Sequence, residues 1–150
     1  MKKIILGIIL SASFINAEAF IGFGGSVGLQ QDKINNCRGA LTGLAGYDFN
    51  EYIDTEVRYS HRFRTDLQTF EAFIKPKYKN FYGLLGYSYS TFDEDPLVEF
   101  YNVYDGIYEG VSYGGGYTFK GNLFNINTDI TFIGTDTINT KINSNFIYRF

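Results

Sequence analysis

The chain has 150 residues, 13 lysines and arginines against 16 aspartates and glutamates, and a net charge of −3. That balance disfavours nucleic acid as a partner, because no broad basic surface is available to neutralise phosphates. Fifteen phenylalanines and 13 tyrosines, with 2 prolines and no tryptophan, favour strands over helices, and the single cysteine, Cys37, excludes an intrachain disulfide framework.

Lys2 and Lys3 precede an apolar run over residues 4–15, and Ala17-Glu18-Ala19 follows as a small-x-small cleavage site. The apolar run falls short of the roughly 20 residues that a spanning helix needs. Residues 1–19 therefore read as a secretory signal peptide, with cleavage after Ala17 or after Ala19 both open. No cysteine follows the run, which disfavours a lipid-modified amino terminus. Residues 20–150 make one domain, undivided by a linker or low-complexity segment.

Eight segments of this domain alternate between apolar and polar side chains, the period of a strand. Residues 20–30 set Ile21, Phe23, Val27 and Leu29 against Gly22, Gly24, Ser26 and Gly28. Residues 39–49 set Leu41, Ala45, Tyr47 and Phe49 against Thr42, Gly46 and Asp48. In residues 52–63 the second face is almost wholly charged, with Asp54, Glu56, Arg58 and Arg62 opposite Ile53, Val57, Tyr59, His61 and Phe63. Residues 70–78 place Phe70, Ala72, Ile74 and Tyr78 opposite Glu71, Phe73, Lys75 and Lys77, and Pro76 suits only a position near a strand end. Residues 81–91 set Phe81, Leu85, Tyr87 and Tyr89 against Tyr82, Leu84, Gly86, Ser88 and Ser90. Residues 111–119 and 123–133 follow the same rule, with Asp129 on the polar face of the second. Residues 138–150 close the chain: Ile138, Ile142, Phe146, Tyr148 and Phe150 share one face, and Lys141, Asn143, Asn145 and Arg149 share the other. These 13 residues supply the roughly 9 to 11 that a strand needs to cross a bilayer at a tilt.

No Asp, Glu, Lys or Arg falls on any of these apolar faces, so the two faces meet different surroundings. Eight strands close into a barrel just wide enough to be filled by side chains. The bulky aromatic and aliphatic set cannot fit there, so the small and charged face turns inward and the apolar face outward, toward lipid. The predicted fold is an all-β, eight-stranded antiparallel transmembrane barrel after a cleaved signal peptide. Short turns at Asn50-Glu51, Lys79-Asn80 and Lys120-Gly121-Asn122 alternate with longer connections, apart from the short one at 134–136. An even strand number puts both termini on the short-turn side, where Tyr47, Phe49, Tyr78, Phe81, Tyr117, Phe119, Tyr148 and Phe150 form an aromatic girdle.

With "YDFNEYIDTEVRYS" at residues 47–60, "FYGLLGYSYS" at 81–90, "YGGGYTF" at 113–119 and "NFIYRF" at 145–150, the chain resembles the small eight-stranded outer-membrane barrels of Gram-negative bacteria, of the OmpA/OmpX and opacity-protein type. The resemblance covers residues 20–150 and implies residence in the bacterial cell outer membrane with its lipid as partner. It also implies that the barrel-assembly machinery reads Phe146, Tyr148 and Phe150, and that surface loops carry adhesion or host contact. The family shares architecture more than activity.

The inward charges Glu56, Arg58, Arg62, Glu71, Lys75, Asp129, Lys141 and Arg149 form the expected interior network, which either fills the barrel or gates a narrow porin-like channel; the filled reading is preferred. His61 raises the question of a lipid A-modifying enzyme, but its neighbour Ser60 points to the opposite face. In residues 92–110, Asp93, Glu94, Asp95, Glu99 and Asp105, interleaved with Tyr101 and Tyr104, make an acidic aromatic contact surface without an EF-hand pattern. Cys37 lacks a nearby histidine and reads as a free thiol. The glycine runs at 22–25 and 114–116 precede no helix and lack the lysine-serine ending of a phosphate loop. No catalytic residue, metal site or cofactor is expected. The predicted function is envelope structure or surface interaction, with a small passive channel as the alternative.

Overall fold

The structure is a computed structural model describing residues 18–30, 38–62, 67–92, 108–134 and 138–150. Eight strands follow in chain order: β1 (Glu18–Gln30), β2 (Arg38–Asn50), β3 (Ile53–Arg62), β4 (Leu67–Tyr78), β5 (Phe81–Phe92), β6 (Tyr108–Phe119), β7 (Asn125–Gly134) and β8 (Ile138–Arg149). Each pairs antiparallel with the next, and β1 pairs with β8, so the sheet closes into a barrel without an edge. Closure leaves no row of unpaired backbone groups among these strands. No helix among the described residues is long and apolar enough to cross a membrane.

The alternation settles which side chain faces which way. Phe23, Leu41, Val57, Phe70, Ile74, Leu85, Tyr113 and Phe119 are exposed on the outer wall, while Thr42, Glu56, Arg58, Glu71, Lys75, Ser88, Asp129, Lys141 and Asn145 are buried within. Helix 3.6-periodicity is nowhere needed. A one-residue slip would exchange these sets, which is why the register is strongly specified.

Local side chains make the short turns. Asn50 Oδ1 accepts from the backbone N–H of Tyr52 at 2.8 Å and of Ile53 at 2.9 Å, an Asx-type turn. A register shift between Asp48 and Asn50 precedes it, a bulge that bends the end of β2. Lys79 takes the left-handed conformation at φ 58° between β4 and β5. The Gly121 N–H donates to Asn125 Oδ1 at 3.2 Å after β6. Both described termini lie at this end, where the Phe150 N–H donates to the Ala19 carbonyl at 3.2 Å.

Several boundaries depart from the alternation. Tyr52 belongs to the turn, because Asn50 captures its N–H. β4 begins at Leu67 and β6 at Tyr108, each extended by pairing with β5 at its outer end, Leu67 with Phe92 and Tyr108 with Ser90. β7 begins at Asn125, since Leu123 and Phe124 are exposed in the turn and the Asn125 side chain caps it. Phe63 lies outside the described residues.

The interior is less uniformly polar than the alternation implied. Phe20, Leu44, Phe73, Tyr82, Leu84 and Ile147 are buried inside, in two apolar clusters. Glycine makes room for them. A Cβ at Gly116 would fall 2.6 Å from Tyr82 Cζ, one at Gly86 would fall 2.7 Å from Phe73 Cδ1, and one at Gly46 would overlap the Phe20 ring. Each inward ring thus sits against a strand position that has no side chain.

Candidate functional site: the barrel interior

Arg58, on β3, lies at the centre of the interior. Its Nη1 and Nη2 donate to Asp129 Oδ1 and Oδ2 of β7 at 3.0 and 2.7 Å, a bidentate pair across the lumen, and its Nε donates to Glu56. Glu56 takes a second cation, Lys75 Nζ of β4, at 2.6 Å. Asp129 is further held by Tyr82 Oη at 2.9 Å, Asn143 Nδ2 at 2.7 Å and Thr131 Oγ1 at 3.2 Å. Arg58, Glu56 and Asp129 are each 2% exposed, so these charges are withdrawn from water and depend on one another. The cations also rest on rings, with Arg58 Cζ 5.1 Å from the Phe73 centroid and Lys75 Nζ 4.3 Å from that of Tyr82.

Toward the outer end, Lys141 Nζ of β8 donates to Glu71 Oε2 at 2.7 Å and to Ser60 Oγ at 2.9 Å. Around this pair runs a belt of hydroxyls: Thr42 contacts Ser60 at 3.0 Å, Thr69 contacts Ser90 at 3.0 Å, and Ser88 contacts Ser112 and Glu71. Toward the short-turn mouth, Lys77 Nζ bridges the carboxylates of Asp48 and Asp54, which face each other across β2 and β3. Arg149 Nε donates to Asp48 Oδ2, which ties β8 to β2 over the intervening β1.

The predicted network residues therefore fall into separate places. Glu56, Arg58, Lys75 and Asp129 form one cluster, Glu71 and Lys141 a second, and Arg149 belongs to the mouth. Arg62 is at the outer end of β3, half-buried, with its guanidinium against Gly28. Asp48, Asp54 and Lys77 share the inward parity in the sequence, yet only strand stagger brings them together. Tyr82 is the participant that periodicity alone conceals, because an aromatic ring on an inward face reads as ambiguous until Gly116 is seen to accommodate it.

The terminal aromatics Phe146, Tyr148 and Phe150 are exposed on the outer wall. Tyr148 lies 5.8 Å from Phe124 and 6.2 Å from Phe150, while Phe81 and Phe119 each meet Tyr117 edge-on at 5.0 and 4.8 Å. Tyr47, Tyr52 and Tyr78 are exposed at the same end, so the aromatic row gains Tyr52 and Phe124 from the turns. Ser60 is buried and bound to Thr42 and Lys141, whereas His61 lies on the opposite parity, paired with Leu41 and Gln68. A depression of about 580 Å³ is lined mainly by outward residues such as Ala45, Val57, Ala72, Ile74, Leu85 and Tyr87. The described residues contain no cluster of three or more His, Cys, Asp or Glu arranged to hold a metal ion. Cys37 and the acidic loop residues Asp93, Glu94, Asp95, Glu99, Tyr101, Tyr104 and Asp105 lie outside the described residues.

No protein-family model and no curated protein sequence matches the chain. Solved structures do. The N-terminal β-barrel domain of OprF from Pseudomonas aeruginosa superposes with a TM-score of 0.61 at 12% identity, covering 90% of this chain and 98% of that one. Ail, the attachment invasion locus protein of Yersinia pestis, superposes with a TM-score of 0.60 at 18% identity over 89% of this chain and 97% of its own. A second Ail structure, in complex with the heparin analogue sucrose octasulfate, gives 0.58 at 16% identity, covering 89% of this chain and 97% of that one. At such identities the likeness concerns architecture: the chain has the fold of the small eight-stranded outer-membrane β-barrels of Gram-negative bacteria.

Proposed function

We propose that the protein resides in the bacterial outer membrane as a closed, non-conducting barrel and acts through its outer loops in surface interaction. The observation that carries this reading is the charge-balanced interior. Arg58, Lys75 and Lys141 are matched by Glu56, Asp129 and Glu71, and Lys77 and Arg149 by Asp48 and Asp54. Ion pairs of this kind bridge the lumen from β3 to β7 and from β4 to β8, so an ion entering would have to displace them. The outer wall supports a lipid setting, because its exposed Phe, Tyr, Ile, Leu and Val are covered by no surface among the described residues.

With the interior balanced, the net acid charge falls in the connections. Between Thr91 and Thr118 the sequence carries Asp93, Glu94, Asp95, Glu99, Asp105 and Glu109 and no lysine or arginine. The loop therefore suits a cationic or neutral partner through its carboxylates and tyrosines. Sucrose octasulfate, the ligand in one Ail structure, is a polyanion, and this loop has the wrong sign for such a ligand. Phe146, Tyr148 and Phe150 serve recognition by the barrel-assembly machinery. No catalytic role is assigned, and separation of Ser60 from His61 supports that assignment.

Recording the purified, refolded protein in planar bilayers tests the closed barrel. No reproducible channel is expected, and stable open channels would overturn it in favour of a small passive pore. Deleting residues 93–107 should abolish adhesion to polylysine-coated surfaces while leaving the protein in the outer membrane; unchanged adhesion would remove the loop from the function.

A further inference from the structure

Two lysines at the short-turn end stand outside the interior ion pairs. Lys77 and Arg149 are engaged by Asp48 and Asp54. Lys79, in the turn after β4, and Lys120, in the turn after β6, are exposed and have no ion-pair partner among the described residues. We propose that these two lysines hold the headgroup of an anionic phospholipid, at a site on the β5–β6 corner of the barrel.

The fold brings the two turns together. Phe81 pairs with Tyr117 at the end of the β5–β6 ladder, and one step beyond it the Thr118 N–H donates to the Asn80 carbonyl at 2.8 Å. Asn80 Nδ2 also donates to Tyr117 Oη at 3.0 Å, which holds that phenol toward the turn. The Tyr117 ring meets Phe81 and Phe119 edge-on, and these exposed rings make an aromatic shelf beside the lysines. Lys79 Nζ lies 5.5 Å from the centroid of the exposed Tyr78 ring, a contact that leaves its three N–H donors available. Deeper along the same strands, Gly83 pairs with Gly115 on the outward parity, between the Phe81–Tyr117 and Leu85–Tyr113 pairs. The wall has no side chain at that step, and Pro76 and Ile130 border it.

An anionic phospholipid fits both features at once. Its phosphate meets the two ammonium groups beyond the rings, and an acyl chain lies over Gly83 and Gly115 on the hydrocarbon side of the shelf. Charge selects the headgroup: a zwitterionic lipid brings its own ammonium to the lysines, whereas an anionic one supplies the negative charge that they lack. Glu51, the acid of the β2–β3 turn, accepts from the Tyr52 phenol instead. Short turns face the periplasm in outer-membrane barrels, so the lipid belongs to the inner leaflet. The inference rests on the outer-membrane residence proposed above, and not on the closed lumen or the loop contact.

Native mass spectrometry of the refolded protein, released from micelles holding equal amounts of phosphatidylglycerol and phosphatidylcholine, tests the site. The barrel should retain phosphatidylglycerol in preference, by about fivefold for each lysine that contributes. Lys79→Gln combined with Lys120→Gln changes only exposed turn positions and should abolish the preference. Equal retention of the two lipids by the unaltered chain, or an unchanged preference in the double variant, would overturn the proposal. Phosphatidylglycerol with a diazirine in its acyl chain locates the groove: cross-links should concentrate on β5 and β6, and equal labelling of all strands would overturn that placement. The mobility of unheated samples on denaturing gels separates the two readings. A barrel that inserts into vesicles of both lipids without preference loses the site alone, whereas one that inserts into neither loses the membrane residence on which the site rests.

Discussion

Replacing Arg58 by methionine would remove the only cation bonded to Asp129 among the described residues. Two charge-assisted hydrogen bonds of 3.0 and 2.7 Å disappear, along with the Nε bond to Glu56. Glu56 keeps Lys75 Nζ at 2.6 Å, so its charge stays compensated. Asp129 does not: Tyr82, Asn143 and Thr131 donate to it, but all are neutral. The cost is therefore concentrated on one buried carboxylate, and breaking such a pair from one side typically costs about 3–5 kcal/mol. Arg58→Met combined with Asp129→Asn restores charge balance and leaves an amide oxygen to accept from Tyr82. The double variant should be more stable than the sum of the single losses by about 1–3 kcal/mol. Urea titration in lipid vesicles measures this, read by the mobility of unheated samples on denaturing gels or by far-ultraviolet circular dichroism, since the chain has no tryptophan. A loss below about 1 kcal/mol for Arg58→Met, or strictly additive losses, would refute the claim that Asp129 depends on Arg58.

Glycines with and without room should separate in the same titration. Gly86→Ala forces its Cβ onto Phe73 and the Ala72 carbonyl and should cost about 1–3 kcal/mol, whereas Gly43→Ala, with nothing within 4 Å, should stay within about 0.5 kcal/mol. Equal effects would show that the inward glycines are not seats for rings. Val57→Arg, on the exposed outer wall of β3, should lower stability in a bilayer by about 2–4 kcal/mol if that wall meets the hydrocarbon midplane, and an unchanged midpoint would put water there instead. Phe150→Asp should reduce the amount of protein recovered in the outer-membrane fraction, and wild-type recovery would remove the terminal aromatic from assembly.

The eight strands and their facing were legible in the sequence because a strand exposes alternate side chains to two surroundings, and here those surroundings differ sharply. Val57 and Glu56 are neighbours in the chain with opposite fates, and their parity alone separates them. Boundaries were less legible where a side chain intervenes locally: Asn50 draws Tyr52 into a turn, and Asn125 does the same to Leu123 and Phe124. Composition could also propose that inward charges are paired.

Pairing itself was decided by tertiary structure. Arg58 and Asp129 are separated by 71 residues, and Lys141 and Glu71 by 70, so their meeting depends on barrel closure and on the stagger accumulated strand by strand. The same holds for Arg149, which reaches Asp48 past β1 only because β8 closes against β1. Inward rings such as Phe20, Phe73 and Tyr82 fit for a related reason: each needs a glycine on a neighbouring strand at its own height. Alternation sets the direction of a side chain, because that is a property of one backbone; the height at which it meets another strand belongs to the closed sheet.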